Sequence, residues 1–391
     1  MRLTRLAVAP VLLLLAAAPG LAGDGLALTP PMGWNSWNKF ACNVSEQLIK
    51  DAADAMLATG MKDAGYQYIV IDDCWQVRRD EAGTIVPDPA RFPSGIKALA
   101  DYVHAKGLKF GIYSDAGTMT CQKRPGSKDH ELQDAKTYAS WGVDYLKYDW
   151  CSSEGQDARD AYQKMSQALR ASGRPIVFSI CEWGSSKPWT WAQGVGHLWR
   201  ATGDIQDCWD CGKSWGGMGV THIVDLMQDL HPYSGPGHWN DPDMLEVGNG
   251  GLSLAESRAH FSFWCLFAAP LMAGNDLGAM TSEIREILTN REVIAVDQDP
   301  LGMQGRKVRD DGPREVWLKP LADGSKAVIL WNRGNEESTL SVEWQDLGLF
   351  PGSAAVVRDL WKKADVATTK GRFEAKLGSH DVAFLKISPR F

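Results

Sequence analysis

The chain has 391 residues, of which 44% are hydrophobic and 23% charged, an ordinary globular composition with enough length for two domains. The net charge of −7 and the absence of any lysine- or arginine-rich run argue against nucleic acid as a partner. The 17 Trp against 11 Phe fit either a sugar-binding surface or a large aromatic core.

Residues 1–22 have the pattern of an export signal. Arg2 and Arg5 supply the positive start, VAPVLLLLAAAP the apolar stretch, and GLA a small-residue cleavage site. The apolar stretch is too short to span a bilayer, so we predict a cleaved leader and a secreted or periplasmic protein without a membrane segment. An uncleaved anchor is the alternative. Eight Cys in an exported chain permit disulfides.

Between residues 30 and 275, short apolar segments alternate with segments whose apolar spacing suits helices. The apolar segments predict eight strands, within residues 32–37, 66–73, 108–115, 143–150, 175–183, 197–204, 238–245 and 263–276. Alternating strands and helices predict a parallel sheet, and eight such units predict a closed (β/α)8 TIM barrel over residues 23–302. A doubly wound open sheet would want a glycine-rich phosphate turn after an early strand, and none is present.

The sequence pattern changes after IAVDQDPLG (294–302). Segments such as REVWLKPL, KAVILWN and HDVAFLKI are short, alternate in polarity and are separated by Gly, Asn and Asp. They predict a C-terminal antiparallel β-sandwich domain over residues 303–391.

Polar residues cluster where the predicted barrel strands end. In a barrel these ends meet at one mouth, so the cluster predicts a functional site there. Its members are Trp37, Asp72, Asp73, Asp115, Asp149, Glu182, Asp204, Asp241 and Asp243.

The stretch YLKYDW places Lys147 and Asp149 two residues apart, on one face of a buried strand. Buried charges are costly unless paired, which leaves two interpretations. One is a structural ion pair. The other is a catalytic carboxylate that Lys147 holds in its ionised form.

Paired carboxylates beside aromatic walls suit hydrolysis of a glycosidic bond, in which one attacks the anomeric carbon and the other protonates the leaving oxygen. Asp149 fits the attacking role. Spacing alone leaves Glu182, Asp204, Asp241 and Asp243 as candidates for the acid, although Asn-Asp-Pro around Asp241 is also a turn signal.

Two other functions compete with hydrolysis by carboxylates alone. Carboxylates at strand ends can hold Mg²⁺ or Mn²⁺, although the region has no His-x-His pair and already carries Lys147 and Arg200. A non-catalytic sugar-binding barrel would keep the tryptophans but would not need both carboxylates.

Eight motifs in chain order resemble the melibiase-like α-galactosidases of glycoside hydrolase family 27. They are TPPMGWNSWN (29–38), YIVIDDCWQ (68–76), GIYSDAG (111–117), YLKYDWC (145–151), CEWG (181–184), WRATGD (199–204), WNDPDMLEVGN (239–249) and VDQDPLGMQG (296–305). The resemblance implies a (β/α)8 barrel with a C-terminal antiparallel β domain. It also implies a retaining hydrolase of terminal α-galactosides that needs no metal or other cofactor.

By the same resemblance, Asp149 is the nucleophile and Asp204 the acid/base. The expected substrate-binding residues are Trp37, Asp72, Asp73, Tyr113, Lys147, Glu182, Arg200 and Asp243. In this family a Glu after the fifth strand favours galactose over N-acetylgalactosamine, so Glu182 favours galactose. The following GSSKP departs from some animal relatives, and N-acetylgalactosaminidase and β-L-arabinopyranosidase activities stay as alternatives within the family.

The resemblance also implies two disulfides, Cys42–Cys74 and Cys121–Cys151, the second beside the nucleophile. Cys208 and Cys211 have no counterpart in it, and we predict that they form a local disulfide. Cys181 and Cys265 are expected to be buried thiols.

Overall fold

The computed structural model describes residues 24–390, so the predicted leader lies outside the described residues. Eight parallel strands form one sheet. They are β1 Met32–Asn35, β2 Tyr68–Val70, β5 Lys109–Asp115, β6 Tyr145–Asp149, β7 Val177–Ile180, β8 Leu198–Arg200, β9 Trp239–Asp241 and β10 Leu271–Ala273. A short antiparallel hairpin, β3 Gln76–Arg79 and β4 Ile85–Pro87, follows β2 and was not predicted.

The sheet closes into a barrel. Its strand order is β10-β1-β2-β5-β6-β7-β8-β9, which leaves one seam between β9 and β10. Across that seam, Leu245 donates its N–H to Met272 O at 2.8 Å, and its carbonyl accepts the N–H of Gly274 at 3.0 Å. The predicted eight-strand TIM barrel is therefore confirmed.

Helices connect the barrel strands and cover them. They are α1 Trp37–Phe40, α2 Glu46–Ala58, α3 Met61–Ala64, α4 Gly95–Ala105, α5 Glu131–Trp141, α6 Ala158–Ala171, α7 Val220–Met227, α8 Leu254–Leu266, α9 Ser282–Leu288 and α10 Arg291–Asp297. In the part of the chain described, no helix has the length and apolar character that crossing a membrane requires.

The eighth predicted strand, residues 263–276, was too long. Its first part belongs to α8, and only Leu271–Ala273 is strand. Ser253 and Glu256 form a capping box that starts α8. From Ala259 to Leu266 every residue of α8 is buried, between the barrel and the C-terminal strands, so this part of the helix lacks the one-sided pattern that identifies a helix.

The C-terminal domain is antiparallel, as predicted. One sheet has the order β11-β12-β13-β18-β15-β16, and β14 pairs with β17. The strands are β11 Arg306–Asp311, β12 Arg314–Pro320, β13 Lys326–Asn332, β14 Ser338–Glu343, β15 Ala354–Asp359, β16 Ala364–Lys370, β17 Arg372–Leu377 and β18 Val382–Arg390. The predicted boundary at residues 302/303 lies in the connection between α10 and β11 and stays a prediction.

Most of the tryptophan surplus belongs to the core. Eight tryptophans are under 2% exposed: Trp34, Trp75, Trp199, Trp239, Trp264, Trp317, Trp331 and Trp344. Trp37 and Trp215 instead line a cavity at the barrel mouth. Composition alone could not separate these two uses.

Candidate active site

A cavity of about 440 Å³ opens at the carboxyl ends of the barrel strands. Nine of the ten residues predicted for catalysis or substrate binding line it: Trp37, Asp72, Asp73, Tyr113, Lys147, Asp149, Arg200, Asp204 and Asp243. Some stand on the strands themselves, and the others on the loop that follows a strand. Strand order therefore brings together side chains that are more than 200 residues apart.

Asp149 is the last residue of β6 and lies on the cavity floor, 7% exposed. Its Oδ2 accepts the phenol O–H of Tyr113 at 2.8 Å, and its Oδ1 accepts the N–H of Trp150 at 3.0 Å. Burial raises the pKa of Asp149 to about 6, while the charge of Lys147 and the Tyr113 hydrogen bond act in the opposite direction. The result is a carboxylate that is ionised at neutral pH and poorly solvated.

The direct partner of Lys147 is not Asp149. Its Nζ lies 2.8 Å from Asp72 Oδ2, at the end of the neighbouring-but-one strand β2. Lys147 and Asp149 stand side by side on one strand face. The long side chain of Lys147 nevertheless reaches across the barrel to the carboxylate of Asp72. Lys147 lowers the pKa of Asp149 through its charge, but burial outweighs it.

Arg200 joins two carboxylates on the other side of the cavity. Its Nη2 lies 3.0 Å from Asp204 Oδ1 and 2.9 Å from Asp243 Oδ2. The side chain of Asp204 is 46% exposed, whereas that of Asp243 is 6% exposed. Asp204 is thus the one of the two that can exchange protons with solvent.

Backbone N–H groups and one side-chain amide fix the two adjacent acids after β2. Asp72 Oδ1 accepts the N–H of Asp73 at 2.9 Å, and Asp72 Oδ2 accepts the amide of Asn35 at 2.8 Å. Asp73 accepts the N–H groups of Cys74 and Gln122 at 2.6 and 3.0 Å. Burial raises the pKa of Asp73. The pair forms a rigid group of hydrogen-bond acceptors, as sugar hydroxyls require.

Three strand-end acids that sequence reasoning placed at the mouth do not line this cavity. Asp115 is buried and accepts the N–H groups of Gly117 and Cys151 at 2.6 and 2.9 Å. Burial, and then the charge of Asp149, raise its pKa to about 9. Asp241 accepts the N–H of Asp243 at 2.8 Å, the turn role expected from Asn-Asp-Pro.

Glu182 is the third predicted acid that does not line the cavity. It is fully buried, and its Oε2 accepts the N–H of Ser186 at 2.7 Å. Its Oε1 has no hydrogen-bond partner among residues 24–390, and burial raises its pKa to about 7. Glu182 therefore binds the backbone of its own loop and does not line the cavity.

The cavity also includes residues that sequence reasoning did not assign to substrate binding or catalysis. They come from α1 and from loops: Asn38, Lys39, Ala41, Cys121, Ile205, Gln206, Asp207, Trp215, Met244, Glu246 and Asn249. Glu246 accepts the amide groups of Asn38 and Asn249, and burial raises its pKa to about 7. Glu246 and Asn249 belong to the motif WNDPDMLEVGN, so the motif could have pointed to them, whereas no motif includes Trp215.

Three disulfides are present: Cys42–Cys74, Cys121–Cys151 and Cys208–Cys211. These are the two pairs that the resemblance implied and the local pair predicted separately. In the described residues Cys181 and Cys265 are free and buried. The sulfur of Cys121 lies 3.5 Å from Asp149 Oδ2, so the second disulfide braces the cavity floor.

One group of His, Cys, Asp and Glu side chains in residues 24–390 is compact enough to hold a metal ion: Asp115, Cys121, Asp149 and Cys151. Its two sulfurs are joined in a disulfide, which removes the thiolates that would bind a metal. These residues therefore do not fit a metal centre.

Comparison with known proteins agrees with this geometry. A family model described as alpha galactosidase A matches residues 29–299, and one for the alpha galactosidase C-terminal beta sandwich domain matches residues 311–387. An alpha-galactosidase of Cyamopsis tetragonoloba is 52% identical over 95% of this chain and 89% of its own length. Alpha-galactosidase A of Cellvibrio japonicus is 51% identical over 94% of each chain. The crystal structure of alpha-galactosidase I from Mortierella vinacea has a TM-score of 0.92 at 39% identity, over 94% of this chain and 98% of its own.

Proposed function

This chain belongs to the α-galactosidase family, and on that premise we propose that it is a retaining α-galactosidase. It hydrolyses terminal, non-reducing α-galactosyl residues of oligosaccharides, galactomannans or glycoconjugates. The observation that carries the proposal is the pair of unlike carboxylates in one cavity: Asp149 buried on the floor, and Asp204 half-exposed at the rim. Buried and exposed acids of this kind suit the nucleophile and the proton donor.

We assign the first step to Asp149 and Asp204. A carboxylate oxygen of Asp149 attacks the anomeric carbon, the glycosidic C–O bond breaks, and Asp204 gives its proton to the leaving oxygen. In the second step Asp204 removes a proton from water, the water oxygen attacks the anomeric carbon, and the ester to Asp149 breaks. Two displacements at one carbon restore the α configuration.

We assign galactose selectivity to the wall of the cavity that carries Asp72 and Asp73. Asp72 and Asp73 accept hydrogen bonds from sugar hydroxyls, including the axial one that distinguishes galactose from glucose. Lys147 donates to a neighbouring hydroxyl while it neutralises Asp72, its partner at 2.8 Å. Arg200 and Asp243 bind hydroxyls on the other side, and the face of Trp37 packs on the ring. Glu182 acts indirectly, by holding the 182–186 loop.

The test is hydrolysis of an aryl α-galactoside in the presence of chelator, beside the N-acetylgalactosaminide, β-L-arabinopyranoside and α-glucoside. We expect fast turnover of the galactoside, with the α anomer seen first by NMR. Turnover of a neighbouring substrate instead would keep the mechanism and change the specificity. Loss of activity in the presence of chelator would support a metal-dependent enzyme. No hydrolysis of any of the four substrates would support a non-catalytic sugar-binding protein.

We further propose that the 1–22 leader is removed and that the protein works outside the cytoplasm, with catalysis in the 23–302 barrel. Three disulfides support this location, since disulfides form in oxidising compartments. Sequencing the N-terminus of protein recovered from medium and periplasm should give Gly23. A chain recovered only from the membrane fraction and still beginning at residue 1 would favour the uncleaved anchor.

A further inference from the structure

The loop of residues 205–219 forms one wall of the cavity and starts directly after Asp204. Its returning end pairs with its beginning: Met218 donates its N–H to Asp204 O at 3.0 Å, and Gln206 donates to Met218 O at 2.9 Å. The tip touches the same place, because a Cβ on Gly203 would lie 2.6 Å from the carbonyl of Gly216. Asp204 and the loop tip therefore occupy one small region.

The base of the loop is fixed to the rest of the molecule. Cys208 and Cys211 are joined, and the ring of Trp209 stacks on His380 at 5.2 Å and meets Trp331 edge-on at 5.7 Å. Both partners belong to the C-terminal domain. A loop anchored in this way can hold a side chain in place at its tip.

That side chain is Trp215. It is 62% exposed, yet it lines the cavity, so a large apolar face is open to whatever enters. A Cβ on Gly217 would lie 2.6 Å from Trp215 Cη2, which shows that the ring lies against the Gly217 backbone.

The proton donor has to stand on the side from which the leaving group departs. Because Trp215 stands at the loop tip, which approaches Gly203, and lines the same cavity as Asp204, we propose that Trp215 is the platform on which the leaving sugar stacks. Asp207 completes this subsite: its Oδ2 accepts the N–H of Gly251 at 2.7 Å, while its buried Oδ1 has no hydrogen-bond partner in the described chain. Asp207 lines the same cavity, and in the proposed subsite its carboxylate accepts a hydroxyl of the leaving sugar.

The subsite selects a substrate class, and this inference rests on the proposed function. Indole faces bind the C–H faces of pyranose rings, and carboxylates bind hydroxyls. The fitting substrates are galactosides whose leaving group is itself a neutral pyranose. Galactosides of lipids or of small alcohols would leave Trp215 uncovered.

The experiment compares two substrates in wild type and in Trp215→Ala. One is an α-galactosyl-(1→6)-hexose, whose leaving group is a sugar; the other is α-galactosyl fluoride, whose leaving group is too small to touch Trp215. For the variant we expect kcat/KM on the disaccharide to fall by roughly tenfold, through KM more than kcat, with the fluoride unchanged. Trp215→Phe should restore part of the loss.

Two controls separate the explanations. Lys213→Ala changes the same loop at a residue outside the cavity lining and should leave both substrates unaffected. Gly217→Ala displaces the indole without removing it and should reproduce the selective loss. If Trp215→Ala loses equal kcat/KM on both substrates, or loses none on the disaccharide, the proposal that Trp215 is the platform for the leaving sugar is wrong. If wild type fails to hydrolyse the fluoride, the proposed function itself is wrong.

Discussion

Replacing Tyr113 with Phe tests how the cavity controls its nucleophile. Tyr113 is 1% exposed, and its phenol O–H donates to Asp149 Oδ2 at 2.8 Å. Phe keeps the ring and its packing but removes this donor. Asp149 then retains the N–H of Trp150 and the more distant charge of Lys147.

The size of the effect follows from the charge on the acceptor. A hydrogen bond to an ionised group contributes about 1.5–3 kcal/mol, and one pH unit corresponds to about 1.36 kcal/mol. The pKa of Asp149, about 6 in the native protein, should therefore rise by about 1–2 pH units. Because Asp149 attacks only when ionised, activity is present above this pKa and is lost as the pH falls through it.

The assay is kcat/KM against pH on an aryl α-galactoside, which reports the free enzyme. At pH 5 a rise of one unit lowers the ionised fraction about tenfold, whereas at pH 8 it changes the fraction by less than a fifth. The acidic limb should therefore move upward while the high-pH rate is largely kept. Tyr68→Phe is the matched control, since Tyr68 lies on β2 outside the cavity lining.

Three results would contradict this reasoning. An acidic limb that stays in place in Tyr113→Phe would mean that Asp149 is not the group whose ionisation limits activity. A loss of equal size at every pH would mean that Tyr113 positions the sugar and does not tune the carboxylate. A shift in Tyr68→Phe of the same size would trace the effect to general loosening of the barrel.

Three further changes have defined outcomes. Asp149→Ala should abolish turnover of every galactoside with the melting temperature nearly unchanged, and added azide should restore some reaction, with inverted configuration; substantial unaided activity would refute the assignment. Asp204→Asn should lower kcat/KM on a disaccharide by about 10²–10⁴-fold but lower kcat/KM on a dinitrophenyl galactoside much less, because kcat/KM reports the first step and that leaving group needs no proton; equal losses in kcat/KM would remove Asp204 as the acid. Replacing both Cys121 and Cys151 with Ser opens a crosslink of 30 residues and should lower the free energy of unfolding by about 3–4 kcal/mol in denaturant titrations; no change would show that the disulfide does not constrain the unfolded chain.

The barrel could be predicted because its strands are buried on both sides and end in polar residues. That pattern is short and local, and it located all eight strands. It failed at residues 263–276, where the end of a helix that is buried on every side cannot be told from a buried strand by periodicity. The β3–β4 hairpin was not predicted because its strands are only four and three residues long, and β3 (QVRR) is largely polar, so neither strand shows a clear alternating pattern.

The site was less accessible to sequence reasoning than the fold. The position at a strand end correctly placed Asp149 in the cavity. Asp115 ends the neighbouring strand β5 and is paired in register with Asp149, yet it is buried below the cavity floor. Alternation put Lys147 beside Asp149, yet only the barrel's curvature shows that it reaches Asp72. Trp215 stands on a loop outside every motif. The direction of a side chain and the path of a loop depend on tertiary packing, and neither can be predicted from the spacing of residues in the sequence.

The two domains are physically connected at the cavity, and α8 makes the connection. On one side Phe263 packs edge-on against Trp317 at 5.3 Å and Trp331 at 4.7 Å, both in the C-terminal sheet. The next residue, Trp264, donates its indole N–H at 2.7 Å to the carbonyl of Asp243, whose φ is +86°. A non-glycine residue at positive φ costs free energy and persists only where its surroundings hold it.

The same sheet holds Trp209, at the base of the wall that carries Trp215. The C-terminal domain thus supports the cavity at two points: one cavity acid through α8, and the 205–219 loop through Trp209. None of its residues lines the cavity. The C-terminal domain therefore contributes to the reaction by making the cavity-lining residues rigid. Loop residues lack this rigidity by themselves.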